Sequence, residues 1–207
     1  MKFPKVFWAS LVVVLVILAD QILKIWIKTN FMLYENIKIA DWFYLYFIEN
    51  NGMGYGIELM DKTFLSIFRI IASTGLLYYL YLLIRRDYPL PYIVCISLIF
   101  AGAVGNIIDS IFYGVVFDSS YGQLASFMPA GGGYSTWLQG KVVDMFYFPL
   151  IRTSWPSWVP SWGGDEFIFF SPIFNVADAA ISVGIAVLLL FYRNTLSKGM
   201  EITSIES

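Results

Sequence analysis

The chain lacks histidine altogether, has one cysteine, and only 14% of its 207 residues are charged. Without histidine, no Ser-His or Cys-His catalytic pair can form, and a catalytic zinc site is disfavoured because its ligands usually include histidine. The single cysteine, Cys95, excludes an intrachain disulfide, and its apolar surroundings predict a small buried side chain. The net charge is −2, and no basic block indicates nucleic-acid binding.

Charge is scarce because the sequence is strongly apolar: 58% of the residues are hydrophobic and the mean hydropathy is +0.69. Soluble domains carry about 25% charged residues, so the composition predicts an integral membrane protein, which we expect to form one domain over residues 1–207. A transmembrane helix needs about 20 mostly apolar residues. Four segments satisfy this requirement, at about 6–27, 64–84, 91–113 and 172–192.

The first apolar segment begins like a signal peptide but continues past Asp20 without a small-residue cleavage site, which favours a retained helix. Basic residues mark both chain ends and the 85–90 turn. By the positive-inside rule these parts are cytoplasmic, and segments 29–63 and 114–171 lie outside. The basic residues concerned are Lys2, Lys5, Arg85, Arg86, Arg193 and Lys198.

The outer segments have distinct local patterns. Residues 42–48 are aromatic and branched, which predicts a strand, and the glycine-rich residues 50–56 predict a turn. The glycine- and serine-rich stretch 115–139 resembles a flexible insertion, whereas the tryptophans of 153–166 favour the membrane surface. The expected fold is an all-α membrane protein with four transmembrane helices and a small extracytoplasmic β-rich element between helices 1 and 2.

Polar residues within the apolar segments gather towards the predicted outer side. Residues three or four apart share one face of a helix, so each helical pair acts as one polar patch. No such gathering occurs on the cytoplasmic half of the helices. The residues are Asp20 and Lys24 in helix 1, Asn106 and Asp109 in helix 3, Asn175 and Asp178 at helix 4, and Asp144 before it.

Asp144 and Asp178 are the most informative of these residues. A carboxylate at membrane depth costs several kcal/mol and is usually functional. Two such carboxyls, one ionised and one protonated, can activate water against an amide bond. A buried structural hydrogen bond and an ion-coupling pair remain alternatives at this stage.

The neighbouring polar residues also have structural interpretations. Asp20 and Lys24 can form an intrahelical ion pair or face a substrate. Asp109 can pair with Lys24 or with a backbone group. Asn175 is suited to capping the N-terminus of helix 4.

Taken in order, five sequence blocks resemble those of the type II signal peptidases, the lipoprotein signal peptidases of bacteria. They match the first-helix motif, the Asn-x-Gly-Ala-Ala-Phe loop, the third-helix motif and the two blocks that hold the catalytic aspartates. The resemblance covers nearly the whole chain. The blocks are Asp-Gln-Ile-Leu-Lys at 20–24, Asn-Asn-Gly-Met-Gly-Tyr-Gly at 50–56, Gly-Ala-Val-Gly-Asn-Ile-Ile-Asp at 102–109, Gly-Lys-Val-Val-Asp at 140–144 and Phe-Asn-Val-Ala-Asp at 174–178.

The chain departs from the family pattern in three places, one of which is a longer spacing from Asp144 to Asp178 across the tryptophan-rich loop. Ser110 stands where the family usually has arginine. Gly-Val-Val-Phe-Asp at 114–118 occupies the usual place of the first aspartate block, which makes Asp118 a competing candidate. We prefer Asp144 because Val-Val-Asp there precedes an aromatic pair, whereas Asp118 opens a Ser-Ser-Tyr-Gly loop.

The resemblance implies an aspartyl endopeptidase of the bacterial inner membrane that removes the signal peptide from diacylglyceryl-modified prolipoproteins, cutting before the lipidated cysteine. Asp144 and Asp178 would be catalytic, near the outer membrane face. The enzyme would be a monomer that contacts membrane lipids, without metal, organic cofactor or nucleic acid. Substrate-binding or supporting roles would fall to Asp20, Lys24, Asn50, Gly52, Asn106, Asp109 and Asn175.

A proton- or ion-coupled small membrane transporter is the main alternative. Such a protein should show polar residues through the bilayer depth and often internal repeats, whereas here they gather on one side. A serine–lysine signal peptidase would need a serine facing Lys141, and none is evident. A presenilin-type protease would need a Gly-x-Gly-Asp motif, which is absent. A non-catalytic membrane subunit would not account for two aspartates beside asparagines.

Overall fold

The structure is a computed structural model that describes residues 3–51, 62–154, 156–169, 171–193 and 195. Long helices alternate with short strands along the chain. In order, the elements are α1 (Lys5–Asn30), β1 (Asn36–Ala40), β2 (Phe43–Asn50), α2 (Lys62–Arg85), α3 (Leu90–Ile108), a π-helical turn (Asp109–Tyr113), α4 (Gly114–Val116), β3 (Val142–Tyr147), β4 (Ile151–Ser154), β5 (Glu166–Phe169), β6 (Ile173–Phe174) and α5 (Val176–Phe191).

Among the described residues, three helices are long and apolar enough to cross a membrane: α1, α2, and α3 together with its extension through α4. Their bounds lie within a few residues of the first three predicted segments. The fourth prediction was too long, because α5 has only 16 residues and begins at Val176 rather than at 172. The residues before it, Ile173 and Phe174, pair with β3, and Asn175 then caps the helix.

Four antiparallel strands form one sheet in the order β1-β2-β3-β6. The strand predicted at 42–48 is confirmed as β2. The β-rich element predicted between helices 1 and 2 is present as β1 and β2, and the segment before α5 extends it with β3 and β6. An isolated two-stranded hairpin is at best marginally stable in water, so β1 and β2 gain from this pairing. The sheet therefore brings Asp144, opposite Ile48, to the ends of the helices.

The stretch 115–139 is an ordered part of the fold rather than a flexible insertion. Phe117 is 0% exposed, Ser120 1% and Ala125 5%. The backbone amide of Ala125 donates to the Lys28 carbonyl at the end of α1, and further backbone bonds tie the stretch to α4. Its apolar side chains supply buried contacts that the glycine-rich composition conceals.

Close packing of α3 against α5 depends on Gly102. A Cβ atom at this position would lie 2.3 Å from the carbonyl oxygen of Ala177 and 2.7 Å from Cγ1 of Ile181. Both contacts are shorter than real Cβ atoms show, and one of them is with backbone that cannot yield easily. The two helices can therefore approach this closely only with glycine at 102, as small residues permit in membrane proteins.

We expect Gly102→Ala to lower the free energy of unfolding by about 1–3 kcal/mol, because the added methyl group forces α3 away from α5. Gly75→Ala in α2 is the matched control, since a Cβ there meets nothing within 4 Å. Thermal unfolding in detergent should show a lower midpoint for Gly102→Ala alone. Equal midpoints for the two variants would contradict the proposed close contact.

Candidate active site

Lys24 is the centre of a buried polar cluster. Its side chain is 0% exposed. The ammonium nitrogen Nζ lies 2.8 Å from Oδ2 of Asp20 and 2.8 Å from Oδ2 of Asp109. It also donates a hydrogen bond to Oδ1 of Asn106 at 2.9 Å. Both ion pairs considered from the sequence are therefore present, and together they compensate a cation that would otherwise be costly to bury.

The two carboxylates around Lys24 also hold the neighbouring elements. Oδ1 of Asp20 accepts a hydrogen bond from the backbone amide of Ala177 in the first turn of α5, at 2.9 Å. Oδ2 of Asp109 accepts one from the backbone amide of Val143 in β3, at 3.2 Å. The cluster on α1 and α3 thus positions the two segments that carry Asp178 and Asp144.

Asp144 lies on β3 with 1% of its surface exposed. Its Oδ1 accepts a hydrogen bond from the side-chain amide of Asn175 at 2.6 Å. Its Oδ2 accepts one from the side-chain amide of Asn50, at the end of β2, at 3.2 Å. Two amides from different elements therefore fix the orientation of this carboxyl group.

Asp178 lies in the first turn of α5, where it forms a capping box with Asn175. The backbone amide of Asp178 donates to Oδ1 of Asn175 at 2.9 Å, and the backbone amide of Asn175 donates to Oδ2 of Asp178 at 3.3 Å. Asn106 donates to Oδ1 of Asp178 at 2.8 Å. Asn175 is therefore the predicted N-cap, and it contacts both aspartates.

Burial raises the pKa of Asp144 to about 7, and the nearby negative charge of Asp178 acts in the same direction. Hydrogen bonds from Asn50 and Asn175 and the charge of Lys24 oppose this rise. A carboxyl group that titrates near neutral pH beside a second carboxyl is the arrangement in which one proton can be shared by the pair.

The structure gathers the predicted residues that it describes into one cluster. Gly52 lies outside the described residues. Asp118 contacts a different part of the chain, because its Oδ1 accepts a hydrogen bond from the backbone amide of Ser126 at 2.7 Å and closes a loop. The hydroxyl of Ser110 donates to the Asn106 carbonyl in its own helix at 2.9 Å. The gathered residues are Asp20, Lys24, Asn50, Asn106, Asp109, Asp144, Asn175 and Asp178.

Two residues of the site were missed in the sequence. Gln21 donates to Oδ1 of Asp109 at 2.9 Å. Arg69 on α2 lines a cavity together with Asp178. In both cases the available signal was a polar residue within a long apolar run, the same signal that pointed to Lys24.

A second buried ion pair, Lys28 with Glu49, also escaped sequence analysis. Lys28 is 0% exposed, contacts the Glu49 carboxylate and lies 4.9 Å from the centre of the Tyr134 ring. Burial raises the pKa of Glu49, but the ammonium groups of Lys28 and Lys141 outweigh it and hold that pKa below its ordinary value. The pair joins α1 to β2 one residue before Asn50. Lys28 lies four residues after Lys24 and so on the same face of α1, which is the feature of the sequence that could have indicated its burial.

Comparison with known proteins agrees with this arrangement. The sequence model of the family described as signal peptidase (SPase) II matches residues 12–193. The lipoprotein signal peptidase of Porphyromonas gingivalis is 51% identical over 197 residues, covering 95% of this chain and 87% of that protein. The lipoprotein signal peptidase of Amoebophilus asiaticus is 34% identical, covering 92% of this chain and 79% of that protein.

Two solved structures, both described as bacterial membrane enzymes studied by the in meso method, share the fold. The first has a TM-score of 0.63 and 25% identity, covering 95% of this chain and 94% of the other. The second has a TM-score of 0.60 and 27% identity, covering 92% and 97%. With the match over residues 12–193 and the 51% identity to a curated relative, these likenesses establish that the chain belongs to the signal peptidase II family of aspartic peptidases.

Proposed function

We propose that Asp144 and Asp178 form the catalytic pair of a lipoprotein signal peptidase, which cleaves diacylglyceryl-modified prolipoproteins before the lipidated cysteine. The observation that supports this most strongly is that two asparagine side chains, which also contact each other, hold both carboxyl groups in place. Asn106 binds Asp178, Asn175 binds Asp144, and the Asn175 side-chain amide lies 3.1 Å from Oδ1 of Asn106.

In the proposed reaction the ionised carboxyl accepts a proton from water while the water oxygen attacks the scissile carbonyl carbon. The protonated carboxyl donates its proton to the carbonyl oxygen. Collapse of the tetrahedral intermediate breaks the carbon–nitrogen bond, and a proton passes to the leaving amine of the cysteine. The asparagines keep both carboxyls in place during these transfers.

We infer that α5 also crosses the membrane, that both termini are cytoplasmic and that the site lies near the outer face. The ammonium group of Lys5 lies 2.6 Å from Asp87, which supports placing the start of α1 and the α2–α3 turn on the same side of the membrane. Lys24 and Asn106 lie near the C-terminal ends of α1 and α3, which are the ends away from Lys5 and this turn. Because the substrate is anchored in the bilayer by its signal helix and acyl chains, a site at that depth can meet the scissile bond without extracting the lipid.

The activity can be tested with purified protein in detergent, a diacylglyceryl-modified prolipoprotein and the same precursor without the lipid. We expect mass spectrometry to show one cut, immediately before the modified cysteine, and at least tenfold slower cleavage of the unmodified precursor. Equal cleavage of both precursors, or a cut elsewhere, would argue against the proposed function.

The pKa of Asp144 predicts a pH-dependent effect of Asp144→Asn on stability. An unfolded aspartate titrates at about 3.9, so between pH 4 and about 7 the folded protein holds more protons than the unfolded chain. Asp144 therefore makes the wild type less stable as the pH rises through this window, and asparagine removes the effect. We expect the variant to exceed wild type by roughly 1–4 kcal/mol at pH 8 and to equal it near pH 4.

Thermal unfolding at pH 4, 6 and 8 measures this difference. Asp118→Asn is the matched control, because it makes the same chemical change outside the cluster. A difference between Asp144→Asn and wild type that stays constant across the three pH values would contradict the assigned burial of an ionisable Asp144.

A further inference from the structure

A cavity of about 330 Å³ opens beside Asp178, between helices α2, α3 and α5. Its polar end is formed by Arg69, Asn106 and Asp178. The rest of the wall is mainly apolar, formed by residues such as Phe68, Leu76, Ala103, Ile107 and Ile181. The cavity thus has the lining expected for an amphiphilic group whose polar part lies next to the aspartate pair.

Arg69 is an unusual residue for this position. It is the only charged residue between Thr63 and Ile84 in the apolar interior of α2. A charge within a membrane helix is costly and is usually kept for a function. Arg69 is half-buried and lines the same cavity as Asn106 and Asp178, so it belongs to the wall of the site.

The surroundings restrict what Arg69 can bind. A guanidinium offers only hydrogen-bond donors, so its ligand must supply acceptors. An anionic ligand is disfavoured, because carboxyls outnumber cations here and leave a net negative charge even when one proton is shared. Among the described residues of the cavity and the cluster behind it, the carboxyls are Asp20, Asp109, Asp144 and Asp178, and the cations are Lys24 and Arg69.

These constraints indicate an uncharged acceptor attached to hydrocarbon, and a carboxylic ester of a fatty acid meets them. In the proposed substrate, two such esters lie on the glyceryl group attached to the cysteine sulfur, within a few bonds of the scissile peptide. An ester carbonyl is therefore the acceptor that a substrate would bring to this end of the cavity when its peptide bond reaches Asp178.

We propose that Arg69 determines specificity by donating hydrogen bonds to the ester carbonyl oxygens of the diacylglyceryl group, so that the enzyme selects the lipidated precursor. This inference rests on the proposed function. The guanidinium binds the lipid linkage before and during the reaction, so its loss weakens binding of the ester-linked substrate more than binding of a substrate without the carbonyl.

The test compares two synthetic lipopeptides that differ only in the glyceryl linkage, one with two ester-linked chains and one with two ether-linked chains. An ether lacks the carbonyl acceptor. Wild type should cleave the ester substrate with a kcat/KM roughly 10–100-fold higher, as expected for a hydrogen bond to a charged donor. Arg69→Met should lose this preference, so that its ratio of kcat/KM for the ester over the ether substrate falls to about one, mainly because KM for the ester substrate rises.

Arg69→Lys keeps the charge and should restore part of the preference for the ester. Arg85→Met removes an arginine from the same helix without touching this cavity and should retain the full preference. The proposal is overturned if wild type cleaves both substrates equally. It is also overturned if the Arg69 variants lose the same factor on both substrates, which would place the effect on the aspartate pair. A wild type that cleaves neither lipopeptide would overturn the proposed function itself.

Discussion

Replacing Lys24 with methionine is expected to lower the free energy of unfolding by roughly 3–5 kcal/mol, a large part of the total stability of a typical protein. Asp20 and Asp109 are both 0% exposed, and Lys24 is the cation that lies 2.8 Å from each. Without it, two carboxylates remain buried next to each other. We also expect activity to be lost, because these carboxylates bind the backbone beside both proposed catalytic residues.

Thermal unfolding in detergent tests this prediction, with Lys5→Met as the matched control. Lys5 also pairs with an aspartate, but the side chain of this residue, Asp87, is 88% exposed. Lys5→Met should therefore lower the free energy of unfolding by less than about 1 kcal/mol. Adding Asp20→Asn and Asp109→Asn to Lys24→Met should recover much of the stability, because no buried charge is left uncompensated. If Lys24→Met is no more harmful than Lys5→Met, the cluster does not depend on the buried cation.

The three long helices were predictable because each is a continuous apolar run of the required length. The start of α5 was not, because Ile173 and Phe174 are as apolar as the helix that follows. They leave the helix because they pair with Tyr147 and Phe146 of β3, a contact that has no local signal in the sequence. Nonlocal strand pairing is thus the reason for the main error in the predicted fold.

The ordered segment 115–139 illustrates another limit of composition. Its glycines and serines predicted flexibility, yet Phe117 and Ala125 are buried, and the Ser120 hydroxyl donates a hydrogen bond to the Glu49 carboxylate at 3.2 Å. Such partners come from α1 and β2, far away in the chain. A segment of this kind is ordered by its surroundings, which composition alone does not describe.

The candidate site was more predictable than the fold around it. Their position in or beside apolar segments indicated Asp144, Asn175 and Asp178, and the motif resemblance then suggested their roles. Helical spacing gave the pairing of Asp20 with Lys24. Arg69 was overlooked although it has the same signal, a lone charge in an apolar run. It belongs to no recognised block, and only the packing of α2 against α3 places it in a cavity wall with Asp178.

Substituting either of the proposed catalytic aspartates, Asp144 or Asp178, by asparagine is expected to reduce kcat by about 10⁴-fold or more, as loss of an essential acid–base group does in other peptidases. Asparagine keeps the shape of the side chain but can neither accept the proton of the attacking water nor donate an acidic proton to the carbonyl. The variants should remain folded. Asp144→Asn keeps a carbonyl oxygen for the Asn175 amide, and Asp178→Asn keeps one for Asn106.

The decisive measurement is the cleavage rate of a diacylglyceryl-modified prolipoprotein by purified wild type, Asp144→Asn, Asp178→Asn and Asp118→Asn, each shown to be folded by thermal unfolding. We expect wild type and Asp118→Asn to cleave at similar rates, and the other two variants to be inactive. An active Asp144→Asn together with an inactive Asp118→Asn would show that the first catalytic aspartate is Asp118 and that the pair assigned on β3 and α5 is wrong.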